Sequence, residues 1–228
     1  MTSGRLPILP IKKQTVVRLI PAAILEPKLR LADGNDIIEH DYPLDHAYPG
    51  LMRTANPGVR DKALYSFEAS RWRNNRFNKI DGHGAYYAAD TLSTAIAEIR
   101  WHLTHDQGLP FERTQVYRAV IANVSGQYLD LREATGLGAL DADPERAYPA
   151  GAGIAKRALE KHADGIIYPS ARSQDGTCYA VLTTTGIDEI RLGQLVSFEK
   201  EGRGGEEWAP RIHLPQHAIG AEPSISRV

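Results

Sequence analysis

Apolar and polar positions follow regular periods over only part of the chain. Residues 15–20 (TVVRLI) are short and β-branched and predict a first strand carrying Arg18. From about 21 to 70 neither period holds. Pro27, Asp33-Gly34, Pro43, Pro49-Gly50 and Pro57-Gly58 punctuate this stretch with turns, which predicts an insertion. Residues 84–89 (GAYYAA) predict a strand entering a helix, with Asp90 or Thr91 accepting from the first-turn N–H groups. Leu92, Ile96, Ile99 and Leu103 then recur on one helical face, and Glu98 falls at the edge of that stripe, where a carboxylate can face a cleft. Strand alternation sends Tyr86 and Tyr87 to opposite faces.

Further along, residues 115–124 predict a buried strand and 128–131 a short one. Residues 154–162 alternate as an amphipathic helix, with Asp164-Gly165 expected to end it. Residues 166–169, 178–184 and 189–198 predict strands, and the Gly- and Pro-containing segment from about 201 predicts a tail running over the surface or mobile. Helices and strands mix without a regular βαβ rhythm. The expectation is an α+β fold: a mixed or antiparallel sheet core with flanking helices, in one domain of residues 1–228 with an N-terminal extension, the 21–70 insertion and the tail.

Composition narrows the class. Hydrophobic residues make up 42% and charged residues 24%, the balance of a soluble globular chain. The single cysteine, Cys178, excludes an internal disulfide, reads as a small buried hydrophobe, and fits a reducing compartment. No apolar run approaches the ~20 residues that span a bilayer. Pro7 and Pro10 interrupt the first short apolar stretch, unlike a signal peptide, so the expected location is the cytoplasm. A net charge of −1 argues against a chain held on nucleic acid by phosphate contacts. Residues 71–79 nevertheless hold four cations and no acid, interleaved with Trp72 and Phe77. That run is either a solvated loop or an anion site, and composition leaves both open. His102 and His105 lack the companions of a zinc set, so no metal is expected.

Three separated segments resemble the RES-domain family, named for an arginine, a glutamate and a serine. Arg76-Phe77-Asn78 resembles its first motif, Tyr87 and Glu98 sit on the strand and helix that follow, and Ile167-Tyr168-Pro169-Ser170 resembles its last. Asp164-Gly165 and Arg172 extend the likeness, and Arg18 resembles an arginine of the family's first strand. Asn75 and Phe77 stand where the family usually has glycine and tryptophan, and Arg71-Trp72 offers a competing register. Asn78 and the spacing to Tyr87 favour Arg76.

The resemblance implies a fold related to ADP-ribosyltransferases and the toxin half of a type II toxin–antitoxin pair. Its substrate is NAD, cleaved between nicotinamide and ribose, and its partner is an antitoxin with an Xre-type helix-turn-helix domain, which carries the DNA binding. Arg76, Tyr87, Glu98 and Ser170 are the implied catalytic residues, and Arg18, Arg76, Tyr87 and Ser170 the implied NAD-binding ones. The chemistry asks for these types: guanidinium groups fork onto pyrophosphate, tyrosine stacks on nicotinamide, and a carboxylate steadies an oxocarbenium-like ribose. No G-x-G-x-x-G motif is present, so NAD is expected as a substrate without a Rossmann site. The insertion favours a protein as acceptor of ADP-ribose, with water or phosphate as alternatives. Taken singly, each residue has a plain reading: a solvated helical Glu, a core Tyr, a turn Ser. A noncatalytic nucleotide- or nucleic-acid-binding module using residues 71–79 is the alternative class.

Overall fold

The computed structural model describes residues 6–22, 67, 75–78, 84–105, 114–201, 207–213 and 226–227. Most of the expected 21–70 insertion, and the alternative Arg71-Trp72 register, lie outside the described residues.

The long hairpin-like pair of β1 (Ile8–Pro21) and β3 (Thr114–Asp130) forms the backbone of the sheet, antiparallel from Ile8↔Leu129 to Pro21↔Tyr117. β1 begins ahead of the predicted residue 15 and absorbs a register shift between Ile11 and Gln14, where Lys13 takes a φ of 49°. β3 merges the two strands predicted for its span. At the join, Gly126 has a φ of 124°, and an added Cβ would lie 2.3 Å from the Asp164 carboxylate, so only glycine fits.

The remaining strands are β2 (Tyr86–Ala89), β4 (Gly165–Pro169), β5 (Thr177–Val181), β6 (Ile187–Glu201), β7 (Glu207–His213) and β8 (Ser226–Arg227). Their order is β1-β2-β5-β4-β3-β6-β7-β8, and the extra β1–β3 pairing closes β1, β2, β5, β4 and β3 into a ring. The pairing of β3 with β4 is parallel and the others are antiparallel, the mixed sheet expected from the irregular rhythm of the sequence.

Alternation along these strands sorts side chains into two environments. Val16, Tyr86, Ala88, Val124, Tyr128, Ile167, Tyr179 and Val181 pack together on the ring-facing side. On the other side, Tyr87, Ile166, Tyr168, Cys178 and Ala180 meet α2 (Pro144–Glu160), while Leu19, Ala89, Tyr117, Ala119 and Phe198 meet α1 (Leu92–His105). Helix α1 follows the predicted stripe: Ile96 and Leu103 are buried against the sheet. Thr91 provides the cap, its Oγ1 accepting from Thr94 N–H at 3.1 Å.

Helix α2 starts ten residues before the predicted 154 because its first turn is capped rather than broken. Asp143 accepts from Glu145 N–H at 3.0 Å, and Pro144 occupies a first-turn position that needs no N–H donor. Its end also differs from expectation. His162, with a φ of 57°, supplies the left-handed residue past the helix, and Gly165 opens β4 instead. Gly165 is required there by the Tyr128 ring, 2.3 Å from where a Cβ would stand. The tail expected to run over the surface contributes β7, whose Trp208 is buried beneath α1 and donates its indole N–H to the Leu103 carbonyl at 3.1 Å.

Candidate active site

The site lies where α1, the end of β4 and the start of β5 converge. The register Tyr168↔Cys178 places these two side chains side by side on the face away from the ring. The chain then leaves β4 through Pro169 into a tight loop, closed by Ser170 N–H to the Gly176 carbonyl at 2.7 Å. Gly176 lets that loop press onto α1: a Cβ would sit 2.8 Å from the Thr94 methyl. Glu98 stands one turn beyond Thr94 on the same edge of α1.

Here the carboxylate and serine meet. Ser170 Oγ donates to Glu98 Oε1 at 2.6 Å and accepts from the N–H groups of Arg172 and Ser173, each at 3.0 Å. The hydroxyl therefore has one donated and two accepted bonds, the full capacity of a serine side chain. The Cys178 thiol donates to the same Oε1 at 3.6 Å. Burial and the nearby Glu98 charge push that thiol well up, so it stays protonated and a donor.

Tyr87 projects to the same side of the sheet, as alternation requires, and its hydroxyl accepts from Phe77 N–H at 2.8 Å. That bond ties β2 to the turn at 75–78, in which the Asn78 side chain accepts from Asn75 N–H at 2.7 Å. Phe77 is buried with its ring edge-on to Tyr168, centroids 4.9 Å apart. Burial holds the Tyr87 and Tyr168 hydroxyls well above their ordinary range, against the lowering effect of the Arg76 charge at both.

Arg76 turns its guanidinium toward the 3-10 turn at Gly138–Leu140, donating to the Ala139 carbonyl and, at 3.1 Å, to the Asp141 carbonyl. Its charge lies 5.8 Å from the Tyr168 ring centre. The backbone of Arg76 rests on α2 so closely that a Cβ at Gly151 would overlap its carbonyl oxygen, at 1.8 Å. A second arginine shares the region. Arg172 lies 3.7 Å above the Trp101 ring and donates to the Ala142 carbonyl at 2.8 Å. Partial burial lowers its pKa, opposed by the Glu98 carboxylate.

Arg76, Tyr87, Glu98 and Ser170 are thus gathered around Tyr168. Arg18 is placed differently, on the face of β1 opposite Val17 and Leu19, which α1 covers. Its guanidinium donates to the Tyr87 carbonyl at 3.1 Å and stands 5.0 Å from the Tyr86 ring centre. Cys178, Tyr168 and Trp101 are neighbours of the site that were not among the candidates. Cys178 was legible only as a buried apolar position, although its place ten residues from Tyr168, across a short loop, is what pairs them. Among the described residues, no group of three or more His, Cys, Asp or Glu side chains is arranged to hold a metal ion, and no helix is long and apolar enough to cross a membrane.

An α+β domain in which a turn holds an arginine, a helix edge presents a glutamate, and the loop after β4 opens on a serine bound to that glutamate defines a class of protein. The RES-domain sequence model matches residues 51–199, and the chain belongs to the RES-domain family. Among solved structures, the chain is similar to one in the crystal structure of the M. tuberculosis MbcT–MbcA toxin–antitoxin complex, at 22% identity and a TM-score of 0.41, over 58% of this chain and 75% of that one. No curated protein matches the sequence.

Proposed function

We propose that this protein is an enzyme acting on NAD, the toxin of a toxin–antitoxin pair, and that it breaks the bond between nicotinamide and ribose. The observation that carries this reading is the 2.6 Å bond between Glu98 and Ser170, which joins two of the three residues that name the family beside the turn that holds the third, Arg76.

In this reading the nicotinamide of NAD leaves with the electron pair of the broken N–C1′ bond, as a neutral ring that needs no proton. Positive charge grows on the ribose, and the Glu98 carboxylate stabilises it from the edge of α1. Arg172 and the unengaged N–H groups of Arg76 supply the positive charge that a pyrophosphate requires. Tyr87, half-buried on the same side of the sheet, offers aromatic surface, and Arg18 approaches from the far side of β2. Ser170, with its hydrogen bonds filled, acts through Glu98 rather than by gripping NAD. A nucleophile then bonds to C1′ and gives up its proton. The finer reading takes a protein side chain as that nucleophile, with water or phosphate as the outcomes that replace it. An antitoxin with an Xre-type helix-turn-helix domain is the proposed partner and the cytoplasm the proposed location, since both NAD and such a partner are found there.

Incubation of the purified chain with NAD, followed by chromatography, tests the reading: free nicotinamide is expected, and intact NAD at every time point rejects it in favour of a nucleotide-binding module. Adenylate-labelled NAD added with a cell lysate identifies the acceptor, since label on protein, on free ADP-ribose or on its 1-phosphate each names one.

A further inference from the structure

The Glu98 carboxylate is held unevenly. Among the described residues its two donors, the Ser170 hydroxyl at 2.6 Å and the Cys178 thiol at 3.6 Å, bond to Oε1, and neither bonds to Oε2. The two donors come from different elements, the loop after β4 and the first half of β5, so together they fix the direction of the carboxyl plane as well as its position. Cys178 is 3% exposed and cannot be reached as a nucleophile from solvent without opening the sheet face. We infer that Cys178 is a positioning residue: with Ser170 it clamps Oε1, so that Oε2 is the oxygen left to meet the ribose.

Removing one donor from a carboxylate favours its neutral form and loosens its orientation. The charged and titratable groups around it define what else can respond. From the loop these are Ser170 and Arg172; from β4, Tyr168; from β5, Cys178; just after β2, Asp90; behind Tyr168, Arg76; and one turn further along α1, His102. Of these, only Cys178 and Ser170 donate to the carboxylate.

The kinetic part of this inference rests on the proposed NAD cleavage, whereas the clamp itself does not, and two measurements keep them apart. The chain has one cysteine, so the S–H stretching band in a Raman spectrum has a single source. In the folded protein that band is expected below its frequency in the unfolded chain, and in Glu98→Ala it is expected to move back. A band unaffected by Glu98→Ala overturns the clamp whatever the activity. For nicotinamide release, Cys178→Ala is expected to lower kcat about three- to tenfold, the worth of one modest hydrogen bond, with KM unmoved. The acid limb of its kcat profile is expected to shift to higher pH. Cys178→Ser, with an O–H donor in place of S–H, is expected to recover most of the rate and move the limb past that of the parent to lower pH. If Cys178→Ala does not fold, the serine variant alone decides, because a stronger donor moves the limb below that of the parent. An alanine variant with the parent's kcat and pH profile overturns the positioning role. A parent that releases no nicotinamide rejects the NAD reading and leaves the clamp to the Raman band.

Discussion

Tyr86 and Tyr87 are adjacent in sequence and identical in chemistry, and they belong to different parts of the molecule. Tyr86 points to the ring-facing side with Tyr128, Ile167 and Tyr179, and its hydroxyl, like that of Tyr128, is buried with no hydrogen-bond partner among the described residues. Burial pushes the Tyr86 hydroxyl up to about 12. Tyr87 points the other way, where its hydroxyl accepts from Phe77 N–H and where a thiol, a serine and a carboxylate are linked by hydrogen bonds. One face of the same short strands is held by packing and the other by polar contacts with defined directions. The side built from apolar contact tolerates loss of a polar atom, and the side built from hydrogen bonds does not.

The largest expected effect falls on the polar face. Glu98→Gln preserves shape while removing the charge, and nicotinamide release is expected to fall about 10²–10³-fold, with growth inhibition on expression lost and the melting temperature little changed. A variant as active as the parent takes Glu98 out of the chemistry. Next is Gly165, where the two faces meet through the Tyr128 ring. Gly165→Ala is expected to destabilise the fold by about 1–3 kcal/mol, read by urea denaturation, because the ring cannot retreat within the packed ring interior. The tyrosine pair sharpens the comparison itself. Tyr87→Phe leaves the Phe77 N–H unpaired and is expected to cost about 1–2 kcal/mol, whereas Tyr86→Phe removes an unpartnered hydroxyl and is expected to be neutral or slightly stabilising. Equal losses in the two variants would erase the distinction between the faces.

The smallest effect concerns acid stability. Hydrogen bonds from Arg132, at 3.0 and 2.8 Å to its side chain, hold Asp130 below the usual carboxylate range at the end of β3. A carboxyl whose folded pKa is depressed contributes stability that is complete above its unfolded value, about 3.9, and is lost as the pH falls through the folded one. Asp130→Asn is therefore expected to lower stability slightly at neutral pH and to flatten its decline below about pH 4. An unchanged acid profile would show that the Arg132 pairing is too exposed to matter.

What the sequence disclosed follows the same division. Helix α1 was legible because Leu92, Ile96, Ile99 and Leu103 are spaced by one physical requirement, burial of a single face. The opposite directions of Tyr86 and Tyr87 were legible for the same reason. The first turns of α2 were not: Gly151 is there because the Arg76 carbonyl needs its space, a contact between residues far apart in sequence. The tail from 201 does not read as a strand because what buries Trp208 of β7 is its contact with α1, which the local pattern does not reveal. At the site, residue types indicated Glu98 and Ser170, but no local pattern indicates that they share a hydrogen bond, or that Cys178 joins them. Arg76 was expected to grip a phosphate, and its placement adds a second task, tethering the turn at 138–141.

The central claim is that the region around Glu98 and Ser170 receives NAD with its nicotinamide ribose against the carboxylate. The most direct test is a crystal structure of the Glu98→Gln protein with uncleaved NAD bound. The account predicts the C1′ atom within van der Waals reach of the residue 98 side chain, the pyrophosphate beside Arg76 and Arg172, and the Ser170 hydroxyl still bonded to residue 98. NAD seated away from α1 and the loop after β4, or with its adenine end at residue 98, would contradict it.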